Sequence, residues 1–138
     1  ERETDVAVPG EICERLPAMS QFKLPLKAIN PKREEMVSLP IEALVDTGSE
    51  LTWLPADVLQ SVGITPRREK LFQTATGQRL KRPIGYAILS TDDFETTDEV
   101  VFAEPGDMTL LGVRTLEGFG AMVDPISHRL VASTTIVA

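Results

Sequence analysis

Apolar and polar positions alternate with a period of two over several short stretches of the chain, and only two stretches carry a helical pattern. Residues 22–29 set Phe22, Leu24, Leu26 and Ala28 against Lys23 and Lys27, the signature of a strand with one buried face. Asn30-Pro31-Lys32-Arg33 supplies turn chemistry, and residues 36–45 read as the returning strand, closing on Ala43-Leu44-Val45. Residues 54–63 predict a short helix, with Pro55 suited to its first turn and Gly63 to its end. Two further strands, 70–74 and 78–89, flank Ala75-Thr76-Gly77 as a hairpin tip. Residues 91–97 form a polar connection, followed by a strand at 99–103, a turn at Glu104-Pro105-Gly106-Asp107 and the apolar run 108–111. Residues 114–119 predict a second helix closed by Gly120, and strands at 121–123 and 128–131 straddle Asp124-Pro125-Ile126-Ser127. Short strands at this spacing with two brief helices indicate an all-β sandwich or barrel. Residues 1–20, with Glu1, Glu3, Asp5, Glu11 and Glu14 and weak periodicity, read as an arm leading into a domain of residues 21–138.

Composition narrows the chemistry more than the fold. At 138 residues, 42% hydrophobic and 25% charged, the chain fits one globular domain. A net charge of -7 and only 5% aromatic residues argue against nucleic acid as a partner. The single cysteine, Cys13, excludes an intrachain disulfide and a cysteine-based zinc site, and reads as a reduced thiol in the arm. The single histidine, His128, excludes a multi-histidine metal site and reads as an exposed residue. No run approaches the roughly 18 apolar residues of a membrane span. The chain opens without an initiator methionine or a basic-then-apolar segment, so it reads as trimmed or excised. A lost targeting segment stays open, and the compartment is left unassigned with a lean to the cytoplasm. Arg67, Arg68, Lys70, Arg79, Lys81 and Arg82 precede an acidic block of Asp92, Asp93, Glu95, Asp98, Glu99, Glu104 and Asp107, which predicts complementary faces on neighbouring strands, with substrate steering by either block as the other reading. Carboxylates, hydroxyls and backbone remain for any catalysis.

Asp46-Thr47-Gly48-Ser49 places a carboxylate at the end of a buried strand, where Gly48 lets the backbone turn tightly. One such carboxylate is a single titrating group. Two facing each other cannot both ionise, so they share a proton and hold an acid and a base together. That pair can take a proton from water while giving one to a carbonyl oxygen, which hydrolyses an amide without metal or cofactor.

Leu110-Leu111-Gly112, followed by the helical stretch 113–119, resembles the hydrophobic-hydrophobic-Gly element that crosses behind the Asp-Thr-Gly loop in retropepsin-like aspartic proteases. Gln73-Thr74-Ala75-Thr76-Gly77-Gln78 resembles the flap tip of that family, and the likeness extends over residues 22–131. The resemblance implies an all-β, closed retropepsin-like barrel that homodimerises, because this chain carries one Asp-Thr-Gly motif where pepsin-type chains carry two. It also implies the tail 131–138 as a strand of the dimer sheet.

By the same resemblance Asp46 is the catalytic acid–base, Thr47 links across the dyad, Gly48 meets the substrate backbone, and Ser49 supports the loop. A Ser49 hydroxyl donated to the carboxylate would favour its ionised form, which gives an acidic activity optimum. Glu50 is placed to bind peptide backbone or to pair with Arg114, and Leu44, Met108 and Leu110 to wall apolar subsites. Ala75, Thr76 and Gly77 would cover the peptide. Trp53 either narrows a subsite or packs as a core or interface aromatic, and core packing is equally open to the three wall residues. The implied partners are a second copy and a peptide or protein substrate. Two other readings stay open: a non-catalytic dimerisation or peptide-binding module of the same fold, and a protease domain regulated by its N-terminal arm.

Overall fold

The computed structural model describes residues 22–74 and 76–133. Ten strands and two short helices follow one another: β1 (Lys23–Asn30), β2 (Arg33–Val37), β3 (Ile41–Val45), β4 (Thr52–Pro55), α1 (Ala56–Ser61), β5 (Arg68–Gln73), β6 (Arg79–Thr91), β7 (Phe94–Ala103), β8 (Leu110–Leu111), α2 (Val113–Phe119), β9 (Ala121–Asp124) and β10 (Arg129–Ala132). Eight strands form one sheet in the order β2-β1-β3-β8-β4-β7-β6-β5, and β9 and β10 form a separate hairpin. Strand β1 also pairs with β6, so the pairings β1-β3-β8-β4-β7-β6 return to β1. The described residues are mostly β with two short helices, as the alternating pattern predicts. No helix among the described residues is long and apolar enough to cross a membrane.

The first strand buries Leu26, Ala28 and Asn30 and exposes Lys23, Pro25 and Lys27, a period-two face set by the sheet pleat. Asn30 closes that strand by accepting the backbone N–H groups of Lys32 and Arg33 and donating to the Val62 carbonyl at 2.9 Å. One amide side chain thereby fixes both the first turn and the end of α1. Gly120 closes α2 in the left-handed conformation (φ 69), as its place in the sequence predicts.

Four local expectations are corrected. Residues 36–45 are not one strand: Ser38-Leu39-Pro40 separates β2 from β3, and Pro40 has no N–H to give a ladder. Helix α1 begins at Ala56, because Thr52–Pro55 pairs in parallel with β7. The polar stretch 91–97 is not a loop; Asp92 and Asp93 make a tight turn, with Asp92 at φ 49, and β7 resumes at Phe94. Its polar residues belong to a strand with one wet face. Of the apolar run 108–111, only Leu110 and Leu111 are strand.

Two apolar clusters fill the interior. The larger joins Leu26, Val45, Leu54, Leu59, Leu89, Val100, Phe102, Leu111 and Leu116 beneath the helices. The smaller joins Leu44, Leu51, Trp53, Phe72, Ile84, Val101, Ala103 and Leu110, with Leu80 and Met108 packed on it. The complementary charge blocks meet as read: Arg68 reaches Glu99 at 2.8 Å, and Arg82 reaches Asp107 at 2.8 Å.

Candidate active site

The Asp46 loop hangs between two strands that do not pair with each other. Strand β8 lies between them, parallel to β3 (Leu44↔Leu110, Val45↔Leu111) and antiparallel to β4 (Trp53↔Leu110). Two bonds lock β3 to β8 at the mouth of the loop: Leu44 N–H donates to Thr109 O and Asp46 N–H to Leu111 O, each at 3.0 Å. On the other side of β3, Val45 N–H donates to Phe22 O at 2.9 Å. The backbone bearing the carboxylate is therefore held from both sides.

Within the loop, Gly48 N–H donates to Asp46 Oδ1 at 2.9 Å, and Ser49 N–H donates to the Asp46 carbonyl at 3.1 Å. A Cβ on residue 48 would stand 3.2 Å from Asp46 Oδ1, so glycine gives the amide room to approach the carboxylate. The Ser49 hydroxyl donates to Leu51 O at 2.8 Å. Its one proton braces the loop, which removes it as the source of an acidic optimum. Asp46 is 0% exposed, whereas Thr47 and Gly48 beside it are exposed. The apex of the loop thus faces outward while the acid sits just below the surface.

Leu111 and Gly112 then cross behind the loop. A Cβ on Gly112 would lie 2.4 Å from Leu51 O and 2.9 Å from Glu50 O, both backbone atoms that cannot swing away. The crossing needs glycine for space. Directly after it, Val113 N–H donates to Ser49 O at 2.8 Å and Arg114 N–H to Glu50 O at 3.1 Å. The first N–H groups of a helix have no partner inside it; here the loop carbonyls supply them, and loop and helix α2 become one unit.

The other sequence candidates separate into groups. Leu44 (5% exposed), Trp53 (1%) and Leu110 (0%) lie inside the smaller cluster. Trp53 meets Phe72 with ring centroids 4.9 Å apart, so it is a core aromatic of the chain. Met108 is half-buried on the same cluster. Glu50 is exposed, and its expected ion pair is replaced: the Arg114 guanidinium lies 3.5 Å from Asp98 and 3.2 Å from Glu99, leaving only backbone contact with Glu50. Thr76 and Gly77 are exposed at the tip of the β5–β6 hairpin, and Ala75 lies outside the described residues. The tip is pinned by Thr74, whose N–H donates to Gln78 O at 2.8 Å and whose hydroxyl accepts from Gln78 N–H at 3.0 Å. The tail strand expected at 131–138 falls mostly outside the described residues, and the arm 1–20 wholly so. His128 is exposed as read, with its ring stacked on Phe22 at 5.6 Å.

Sequence reasoning passes over Leu80, which like Met108 packs on the smaller cluster, and the buried threonines Thr52 and Thr115. Thr52 in an apolar run reads as an ordinary β-branched strand residue and Thr115 as an ordinary helix position, so no sequence signal marks them.

The family model described as gag-polyprotein putative aspartyl protease matches residues 36–118, from β2 into the Gly112 helix. The match takes in the Asp46 loop, the β5–β6 hairpin and the glycine crossing. No curated protein matches the chain.

Proposed function

Because the chain belongs to the gag-polyprotein putative aspartyl protease family, we propose that it is an aspartic endopeptidase working as a homodimer. Asp46 and Asp46 of the partner subunit form one dyad at the two-fold axis. The circuit of strand pairings is the family's closed barrel in this reading, and each barrel brings half a site. The observation that carries it is the Asp46 loop: a buried carboxylate fixed at a strand end, with the outward apex Thr47-Gly48 beside it. An exposed loop apex can meet its own copy across a two-fold axis.

Two carboxylates close together share one proton. The ionised one removes a proton from water, and the hydroxide oxygen bonds to the peptide carbonyl carbon. The protonated one gives its proton to the carbonyl oxygen, and the gem-diol forms. Its collapse breaks the C–N bond as the departing nitrogen takes up a proton from one carboxyl and the ionised carboxylate takes a proton from a gem-diol hydroxyl, which restores the shared proton of the dyad. Gly48 N–H, on Asp46 Oδ1, stabilises the ionised form of that carboxylate. Thr76 and Gly77, at the hairpin tip, cover the peptide, while Met108 and Leu80 present apolar surface to its side chains. Leu44, Trp53 and Leu110 act beneath that surface, shaping it from the core.

Digestion of a diverse peptide library by the wild type and by Asp46→Asn tests this reading. The substitution keeps shape and removes the titrating group, so turnover falls by about 10³-fold or more. Undiminished cleavage by Asp46→Asn overturns the aspartic mechanism.

A further inference from the structure

The peptide unit between Leu111 and Gly112 is bonded on both of its polar faces. Its carbonyl accepts from Asp46 N–H at 3.0 Å. Its N–H donates to Thr52 Oγ1 at 2.9 Å. Thr52 Oγ1 lies 2.6 Å from Thr115 Oγ1, and Thr115 Oγ1 lies 3.0 Å from Asp98 Oδ2. Four contacts therefore join the backbone of Asp46 to a carboxylate on another strand.

The direction of each proton follows from the ends. An ionised carboxylate only accepts, so the single Thr115 proton goes to Asp98. Thr52 must then donate to Thr115, and its lone pair is left for Gly112 N–H. Every link points the same way, from Asp46 towards Asp98, and such chains strengthen their members by polarisation. Asp98 is itself held by Glu99 N–H at 2.7 Å and by the Arg114 guanidinium at 3.5 Å. Both threonines are 0% exposed. Valine would fill the same volume without burying a hydroxyl, so nothing in the packing calls for oxygen at either position. The oxygens serve the chain of bonds.

We propose that Thr52 and Thr115, terminated by Asp98, are positioning residues that hold the Leu111–Gly112 peptide plane and through it the backbone of Asp46. The proposal rests on the aspartic reading above for its catalytic consequence. A reacting group displaced by a fraction of an ångström loses rate while substrate binding is little changed. The relay thus acts on kcat and leaves KM.

The test compares Thr115→Val, Thr115→Ser and Asp98→Asn in the full chain, by steady-state kinetics and by amide hydrogen exchange at Asp46 and Gly112. Thr115→Val lowers kcat about 10-fold with KM within about 2-fold, and speeds exchange at both amides about 10-fold. Thr115→Ser, which keeps the hydroxyl, restores both readouts to within about 3-fold of wild type. Asp98→Asn keeps an acceptor but drops the charge, and lies between them. A Thr115→Ser variant as impaired as Thr115→Val overturns the proposal, because the methyl group and not the oxygen would then matter. Unchanged exchange at Asp46 and Gly112 in Asp98→Asn also overturns it, and this arm stands even if Thr115→Val fails to fold. Full activity in Asp46→Asn would defeat the aspartic reading separately, with the exchange data still deciding the relay.

Discussion

Arg82 holds Asp107 in a two-point grip, Nε to Oδ2 at 2.8 Å and Nη2 to Oδ1 at 3.1 Å. Their side chains are only 11% and 10% exposed. The pair ties the β5–β6 hairpin to the turn that precedes Met108, and Asp107 also accepts Glu104 N–H at 2.8 Å. Its hydrogen bond to Asp107 raises the Arg82 pKa against the opposing pull of burial. Removing one partner of such a pair leaves the other charge buried alone. Arg82→Met therefore costs about 3 kcal/mol in denaturant unfolding. A loss under about 1 kcal/mol would put the pair in the class of exposed ion pairs and contradict the geometry.

Gly112→Ala and Gly118→Ala separate backbone crowding from side-chain crowding. At both positions a Cβ would meet an oxygen at 2.4 Å, but at Gly112 that atom is Leu51 O and at Gly118 it is the Thr96 hydroxyl. Backbone cannot yield without moving the Asp46 loop, so Gly112→Ala destabilises by about 3 kcal/mol. At Gly118 the added Cβ also meets Thr96 Cβ and Cγ2 at 3.0 Å, so the threonine must shift as a whole. That shift leaves the Asp46 loop in place and alanine favours the helix by about 1 kcal/mol, so Gly118→Ala loses less than Gly112→Ala by about 1 kcal/mol or more. Thermal melts of the two variants measure the difference. Equal losses would contradict it.

What is legible in the sequence is local, or carried by a motif. The hairpin turn after Asn30, the tip at Thr76-Gly77 and the Gly120 helix end each rest on one residue's own chemistry, an amide side chain reaching forward at Asn30 and a positive φ at Gly77 and Gly120. The Leu110-Leu111-Gly112 run is readable because strand, crossing and glycine are contiguous. What depends on distant partners is not readable. Trp53 takes its place in the core only once Phe72 is seen against it. Arg114 matches Glu50 on sequence alone because no pattern shows that β7 brings Asp98 and Glu99 alongside α2. The polarity of residues 91–97 suggests a loop for a related reason. Glu95, Thr96 and Thr97 sit on an outer hairpin whose pairing with β6 supplies the order that composition lacks.

Glu99 carries the pH dependence of this same corner. Burial raises its pKa, but the hydrogen bonds and charges of Arg68 and Arg114 outweigh burial and hold it below the ordinary value of 4.5. A carboxyl depressed in the folded state stabilises the protein fully above its unfolded pKa and loses that contribution as pH falls through the folded one. The melting-temperature gap between wild type and Glu99→Gln is therefore widest above pH 4.5 and narrows below it. A gap that stays constant from neutral to strongly acidic buffer would contradict the assignment.

Thr74 sets the stiffness of the hairpin tip. Its hydroxyl meets Gln78 N–H and the Thr76 hydroxyl, each at 3.0 Å. Thr74→Val keeps the volume and deletes both bonds, at a cost of about 1 kcal/mol. If the tip covers the peptide, KM rises by several-fold and kcat changes less. An unchanged KM would separate the tip from substrate binding.

The central claim is that each chain supplies one carboxylate to a shared site, and subunit mixing tests it most directly. Wild type and Asp46→Asn are combined at fixed total concentration, allowed to exchange, and assayed on a cleaved peptide. If both carboxylates are needed, activity falls as the square of the wild-type fraction, so an equal mixture retains about one quarter. An equal mixture retaining one half, in proportion to wild type, would mean that each chain works alone and would contradict the account.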